Sequence, residues 1–440
     1  MVQSRVLNLC SFAVPALSFI EFVVVGRLIL SELLMLAMLP WLRRAPDRLS
    51  LPRWLVVLWA GWLLSQVATD LMAGSAFEDF ARGWASIVFT LTNLMAILVL
   101  AATPKRARLF ALGLAAGGVL GYLFFPHPYA ADDPWKWALA LPVGFAVAAG
   151  LSGRVGARLR LFTIGALGIF GALNLILGFR SLGGVSFLTA GYLILSAAVR
   201  RPTAFRRFAA RPGMALAFLA VAVLGVLQLY EAAASQGWLG SDAQAKYEMQ
   251  SGPLGVLVGG RSELLASTQA IVDSPILGHG SWAKDFTYVD VLADRRSSLG
   301  YEVGFGYSDL GLIPAHSYLM GSWVWAGLLG GVFWLGILGI AVRLLTRLYA
   351  FGVELAPLLV FSTMLLLWSI AFSPYGSSQR IVATYGIALC LLGLRVVVGK
   401  AHVLYAPNKL GRSPARALVS RRTVSQVNVA AVGRAGVRPK

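Results

Sequence analysis

Apolar runs near 20 residues recur along the whole of this 440-residue chain. That recurrence constrains the fold more than any other feature, because about 20 apolar residues in a helix cross a hydrocarbon core roughly 30 Å thick. Charged residues make up 13% of the chain and hydrophobic residues 58%, whereas a soluble domain carries about 25% charged residues. The expectation is an all-α polytopic membrane protein with about twelve transmembrane helices and one long periplasmic loop containing short helices.

Spans are expected near residues 6–20, 24–42, 54–72, 83–102, 109–125, 135–151, 161–178, 185–199, 214–230, 317–342, 356–372 and 381–398. The net charge is +19. In a soluble protein such a charge would point to nucleic acid. Here the Lys and Arg fall in short loops between apolar runs, which makes them topology signals on the cytoplasmic side and contacts for anionic lipids. No nucleic-acid partner is expected. Both termini then lie inside. The interval 231–315 inverts the loop charge: its ten acidic residues (Glu231, Asp242, Glu248, Glu263, Asp273, Asp285, Asp290, Asp294, Glu302, Asp309) face five basic ones (Lys246, Arg261, Lys284, Arg295, Arg296). A translocated segment tolerates that balance.

The chain therefore divides into a transmembrane bundle over 1–230, a periplasmic loop over 231–315, three further spans over 316–398 and a basic cytoplasmic tail over 399–440. The tail has no acidic residue and is expected to be disordered. Cys10 and Cys390 both lie in apolar runs without a CxxC partner, so neither a disulfide framework nor a cysteine metal site is expected. No cleavable leader separates from the first span. No transporter-type inverted halves are visible.

Three arginines on the outer side oppose the topology rule: Arg180, Arg261 and Arg380. One such residue alone can snorkel from a span end. Three at one face suit an anion, because the guanidinium is always charged and its fork of donors matches phosphate oxygens. His316 sits where the long loop meets the tenth span. It is either a base able to take a proton from a hydroxyl or an interfacial cap. His279 lies between Gly278 and Gly280, a pattern for a tight turn. Residues 261–271 have helical spacing at 264, 265, 268 and 271, so Arg261 is expected to open a short helix. Asp273 reads as a turn or cap residue. Gly327, Gly330 and Gly331 permit close helix contact in the tenth span. Asp132 and Asp133 are the only paired outer carboxylates, a metal-binding alternative. No phosphate loop, His-Glu-x-x-His or Gly-x-Ser-x-Gly motif is present.

The order of these features is Arg180-Ser181, then Arg261-x-Glu263, then Asp273-x-Pro-Ile-Leu-Gly-x-Gly280, then His316-Ser-Tyr-Leu319 and a Gly-rich span. Over about 150 residues, from Arg180 to Gly331, it resembles the O-antigen ligase and O-antigen polymerase family of bacterial envelope membrane proteins. Ser317 stands where that family often has Asn, which leaves the orientation of the imidazole open. The resemblance implies a GT-C-like, metal-independent, inverting glycosyltransferase of the bacterial inner membrane. Its donor would be an undecaprenyl-diphosphate-linked glycan at the periplasmic face, with no cofactor or nucleotide sugar. Arg180 and Arg261 would hold the diphosphate, with Arg380 added from topology, and His316 would activate the acceptor hydroxyl. His279, Glu263 and Tyr318 are further candidates on the substrate loop. The acceptor is lipid A-core for a ligase or another lipid-linked glycan for a polymerase. Ligase-type transfer is the first expectation and repeat-unit polymerase the alternative. A polysaccharide or lipid transporter is the reading from a different class.

Overall fold

The computed structural model describes residues 2–45, 50–153, 157–199, 212–253, 255–301, 310–348 and 353–405. The chain separates into two units, Met1–Arg395 and Val396–Lys440. In the second, the structure describes residues 396–405, the end of a helix. Most of the tail expected to be disordered, and Glu302 and Asp309 of the long loop, lie outside the described residues.

The first unit is built from helices. In order they are α1 (Val2–Ala16), α2 (Leu30–Leu42), α3 (Arg53–Ala73), α4 (Phe77–Leu100), α5 (Pro104–Phe124), α6 (Ala140–Leu151), α7 (Ala157–Ile176), α8 (Arg180–Val199) and α9 (Pro212–Ser235). Then come α10 (Ser241–Gln250), α11 (Gly255–Gly259), α12 (Glu263–Asp273), α13 (Phe286–Ser298), α14 (Tyr318–Leu348), α15 (Ala356–Phe372) and α16 (Ser377–Tyr405). A two-stranded antiparallel hairpin, β1 (Glu21–Val23) with β2 (Arg27–Ile29), precedes α2.

Local chemistry explains the ends. Pro104 opens α5 where its missing N–H costs nothing, and the Thr103 hydroxyl accepts the Arg106 N–H at 3.3 Å. Gly74 closes α3 in the left-handed conformation, φ 63°. Asp285 caps α13 by accepting the Thr287 N–H at 2.9 Å.

Among the described residues, seven helices are long and apolar enough to cross a membrane: those over 53–73, 77–100, 104–124, 159–176, 216–235, 318–348 and 377–397. Three shorter apolar helices cover Leu30–Leu42, Trp135–Leu151 and Ala356–Phe372. The first part of α16 is the most enclosed of these spans, 72% buried, and α9 the least, 6% buried. Tyr385 of α16 stacks on Phe110 of α5, centroids 4.9 Å apart, and donates to the Ala107 carbonyl at 2.7 Å. Trp62, Tyr318, Phe333, Trp334 and Tyr375 form one aromatic cluster joining α3, α14 and the turn before α16. Stacked and edge-on rings of this kind add to packing, which carries helix association where lipid supplies no hydrophobic drive.

The structure corrects several sequence expectations. The span expected at 24–42 is a hairpin followed by a helix of 13 residues. Gly26, at φ 95°, makes the turn, and Glu21 and Arg27 pair across its exposed end at 3.5 Å. Arg180 lies inside the first turn of α8 rather than in a turn before it, because Gly183 lets the helix approach the Gly171 carbonyl and Leu175 of α7 closely. The loop helix begins at Glu263, two residues after Arg261. Its inward face is Ala266, Ser267 and Ala270, packed toward Tyr288, Leu292, Ile313 and Val324, while Thr268 points out. Small residues won because α13 and α14 approach on that side.

The largest correction is in α14. Gly327 has φ 64° and ψ −155°, which no helix allows. Residues on either side face one another: Tyr318 packs on Trp334 at 4.9 Å, and the Ser322 hydroxyl accepts the Trp334 indole N–H at 2.8 Å. A Cβ on Gly330 would sit 2.2 Å from the Ser322 carbonyl, and one on Gly331 would sit 2.5 Å from the Trp323 ring. Residues 318–326 are thus a short helix folded back on the start of the helix that follows, so the membrane-length part begins after Gly327. Gly330 and Gly331 do permit close contact, with the preceding turns of their own helix.

Candidate functional site

The fold-back leaves carbonyls and N–H groups at the break, and a strap from the long loop satisfies them. The His279 N–H donates to the Val324 carbonyl at 2.7 Å and the Gly280 N–H to that of Trp325 at 3.1 Å. The Leu328 N–H donates to the Ile276 carbonyl at 3.1 Å. Gly278, φ 79°, lies so close that a Cβ there would be 2.6 Å from the Gly327 nitrogen. Broken helix backbone in an apolar setting needs protein or water to satisfy it, and here the strap does so. From α3, Ser65 donates to the Ala326 carbonyl at 2.7 Å and Thr69 to that of Leu277.

Asp70 of α3, which the sequence analysis passed over, pins the strap. Its Oδ1 accepts the Ser281 N–H at 2.6 Å and the Ser75 hydroxyl at 2.8 Å. Its Oδ2 accepts from the Ser281 hydroxyl and the Trp84 indole, both at 2.8 Å. A lone carboxylate one turn from the end of an apolar helix is the only signal that could have found it.

This arrangement positions His316, in the two-residue approach to α14. Ser317 fixes that approach: its hydroxyl donates to the Ile370 carbonyl of α15 at 2.7 Å and accepts the Met320 N–H at 3.1 Å, capping α14. The serine thus supplies a backbone anchor for its neighbour. His316 lies beside Glu263 and Arg261. Burial holds its imidazole below the ordinary value, the Glu263 carboxylate opposes this, and the Arg261 guanidinium adds to it. The neutral form, with a nitrogen free to accept a proton, is the favoured one at neutral pH.

Arg261 also belongs to a set of cations. Lys136 feels the charges of Lys246, Arg180 and Arg261 as well as that of Asp133. Arg180 donates through one nitrogen to the Tyr230 hydroxyl at 2.7 Å and to Gln250 Oε1 at 2.9 Å, with its guanidinium 5.4 Å from the Tyr230 ring centre. The same Gln250 Oε1 would sit 3.2 Å from a Cβ on Gly260, the residue before Arg261. Gln250, the partner of Arg180, thus packs against the residue that precedes Arg261. Arg180 at the start of α8, Lys246 in α10 and Arg261 at the entry to α12 thus all act on Lys136, in the segment before α6. Lys136 and Lys246 were missed in sequence because a lysine beside a span or in a polar helix reads as ordinary solvation.

Arg380 is elsewhere. Its guanidinium is 4% exposed and closes on Glu32, which is fully buried. Nε donates to Glu32 Oε1 at 2.8 Å, and the other nitrogens reach the Arg27 carbonyl at 3.1 Å and the Ser86 hydroxyl at 3.3 Å. Asn93 donates to the same carboxylate at 2.9 Å. The assignment of Arg380 to a diphosphate is corrected: its charge is matched by Glu32, an acid inside an apolar run.

Tyr318 is buried in the aromatic cluster, with its hydroxyl 3.5 Å from Gln379 Oε1. It supports the fold-back and does not face the cations. His279 is a strap residue, its Nε2 2.7 Å from the Ala270 carbonyl and its ring edge-on to Tyr288 at 5.3 Å. Tyr288 in turn donates to Asp273 at 2.9 Å; burial, with that bond second, pushes its phenol up to about 12. Asp133 accepts the Lys136 N–H at 2.9 Å and so starts the helical segment over 135–151. Of the residues singled out in sequence, the structure brings together Arg180, Arg261, Glu263 and His316. No protein-family model and no curated protein matches this sequence.

Proposed function

We propose that this protein transfers a glycan from undecaprenyl diphosphate to an acceptor hydroxyl at the periplasmic face of the bacterial inner membrane. One observation carries the reading: Arg261 acts both on Lys136, together with Arg180 and Lys246, and on the half-buried His316, whose imidazole burial holds below its ordinary value. The cations hold the diphosphate, whose oxygens suit guanidinium forks. His316 accepts the proton of the acceptor hydroxyl as its oxygen bonds to the anomeric carbon. The bond from that carbon to the phosphate oxygen breaks on the opposite side, so the centre inverts. The bonding pair leaves with undecaprenyl diphosphate, whose added charge the cations stabilise in a site of low dielectric. Glu263 steadies the imidazolium that forms. The acidic balance of the 231–315 interval supports an outer position for this loop, the side on which a lipid-linked donor would be presented.

Ligase-type transfer to lipid A-core is the first form of the proposal and repeat-unit polymerisation the second. Glycan analysis of a deletion strain tests and separates them. Polymer lost from lipid A, with long lipid-linked chains accumulating, identifies a ligase. Accumulation of single lipid-linked repeat units identifies a polymerase. Unchanged glycans contradict both. A transporter is favoured by the break at Gly327, since discontinuous helices hold substrates in many transporters. The strap fills this break with the protein's own backbone, which leaves no substrate site there and weakens that reading.

A further inference from the structure

The segment between α5 and α6 contributes Lys136 to the site described above, and around it builds an exposed aromatic platform that the site does not use. His127, between Pro126 and Pro128, accepts the Tyr129 N–H at Nδ1, 3.3 Å away, and fixes a single tight turn over Pro128–Ala130. The Tyr129 ring lies 5.2 Å from that of His127 and 5.2 Å from that of Trp137. The His127 and Trp137 rings are nearly parallel, 18° apart at 6.5 Å. All three are open to the outside, with Tyr129 58% and Trp137 50% exposed. The Lys136 ammonium sits 4.8 Å above the Trp137 ring. Lys136 is the same residue that senses Arg180, Arg261 and Lys246, so platform and cation group adjoin through one side chain.

Rings at a membrane interface commonly anchor a protein among lipid headgroups. Anchoring asks nothing of the rings' mutual geometry, and it does not require a lysine joining them to an anion site. We propose that the platform binds the first sugar residues of the donor, those attached to the diphosphate that the cations hold. This rests on the diphosphate reading above. The C–H face of a pyranose is weakly positive and suits the negative face of an aromatic ring. Tyr and Trp offer that face at little cost in side-chain freedom. A sugar covalently joined to a diphosphate held near Lys136 has the Trp137 ring within reach, so continuity with the cation group selects a saccharide over a headgroup.

The full-length protein in nanodiscs is titrated with two probes, undecaprenyl diphosphate without sugar and the polyprenyl-diphosphate-linked glycan extracted from the host's own membranes. The expected result is roughly tenfold tighter binding of the sugar-bearing lipid, the size of one or two ring contacts. Tyr129→Ala with Trp137→Ala should remove that preference and leave bare-lipid binding unchanged, while Trp137→Phe keeps most of it. The bare-lipid arm also reports folding of each variant. A wild type without the preference, a double variant that keeps it, or equal weakening toward both probes overturns the proposal, the last pointing to a headgroup anchor. Bare-lipid binding insensitive to Arg180→Ala and Arg261→Ala would instead overturn the diphosphate reading, and that arm uses no sugar.

Discussion

Two charged residues carry different duties because of what surrounds them. Arg261 and Arg380 both oppose the loop-charge rule, and both look like anion ligands in sequence. Arg380 meets a buried acid and Arg261 meets a cation group and a histidine. At Arg261 the geometry of the fork matters as well as the charge. Arg261→Lys should therefore lower transfer by about tenfold or more despite keeping the charge, as initial rates with saturating acceptor would show. On the proposed reading, the working form of His316 is the neutral one. Its pKa lies below the ordinary 6.5, so protonation, and loss of the base, comes only as pH falls below that value. The rate should hold through neutral pH and fall on the acid side of the ordinary histidine range. Glu263 opposes the lowering, so Glu263→Gln should move the acid limb to still lower pH. A pH–rate profile of the variant that shifts upward would contradict this placement of Glu263.

At the scale of elements, two devices hold the fold. The first is the fold-back of α14 with its glycine strap. Gly327→Ala puts a Cβ 2.0 Å from the Ile276 carbonyl and asks alanine for φ 64°. The backbone strain alone is about 1–3 kcal/mol, so the variant should melt well below Gly339→Ala, whose site in the same helix is open. Equal melting temperatures in detergent would mean the break is not structural. The second device is the Glu32–Arg380 pair, which ties α2 and α4 to the start of α16. Removing one partner strands the other charge. Arg380→Ala should cost about 3–5 kcal/mol, and Glu32→Leu with Arg380→Met should recover most of it. Thermal unfolding of the single and double variants checks that ordering.

Over the whole molecule, the helices were legible because apolar length is a local property. Each of the twelve runs read from the sequence overlaps a helix, but the run over 24–42 opens in a hairpin and that over 317–342 is broken at Gly327; among the described residues seven helices have the length and composition to cross a membrane. The fold-back was not legible. Residues 317–342 are apolar throughout, and only the φ of Gly327 shows that the chain reverses there. The hairpin over 21–29 was hidden in the same way inside an apolar run. At the site, the Arg180, Arg261, Glu263 and His316 set could be read because those residues break the pattern of their surroundings. Lys136 and Lys246 conform to theirs, and Asp70 and the Glu32 partner of Arg380 become meaningful only through contacts more than 200 residues away.

On the proposed reading these scales meet in a reaction at one imidazole, which reconstituted vesicles can test. Purified protein, lipid-linked donor and acceptor are combined, and transfer and donor binding are followed for the wild type and for His316→Ala. The account predicts that the variant binds donor as the wild type does and transfers no glycan. Transfer by His316→Ala at the wild-type rate would contradict it.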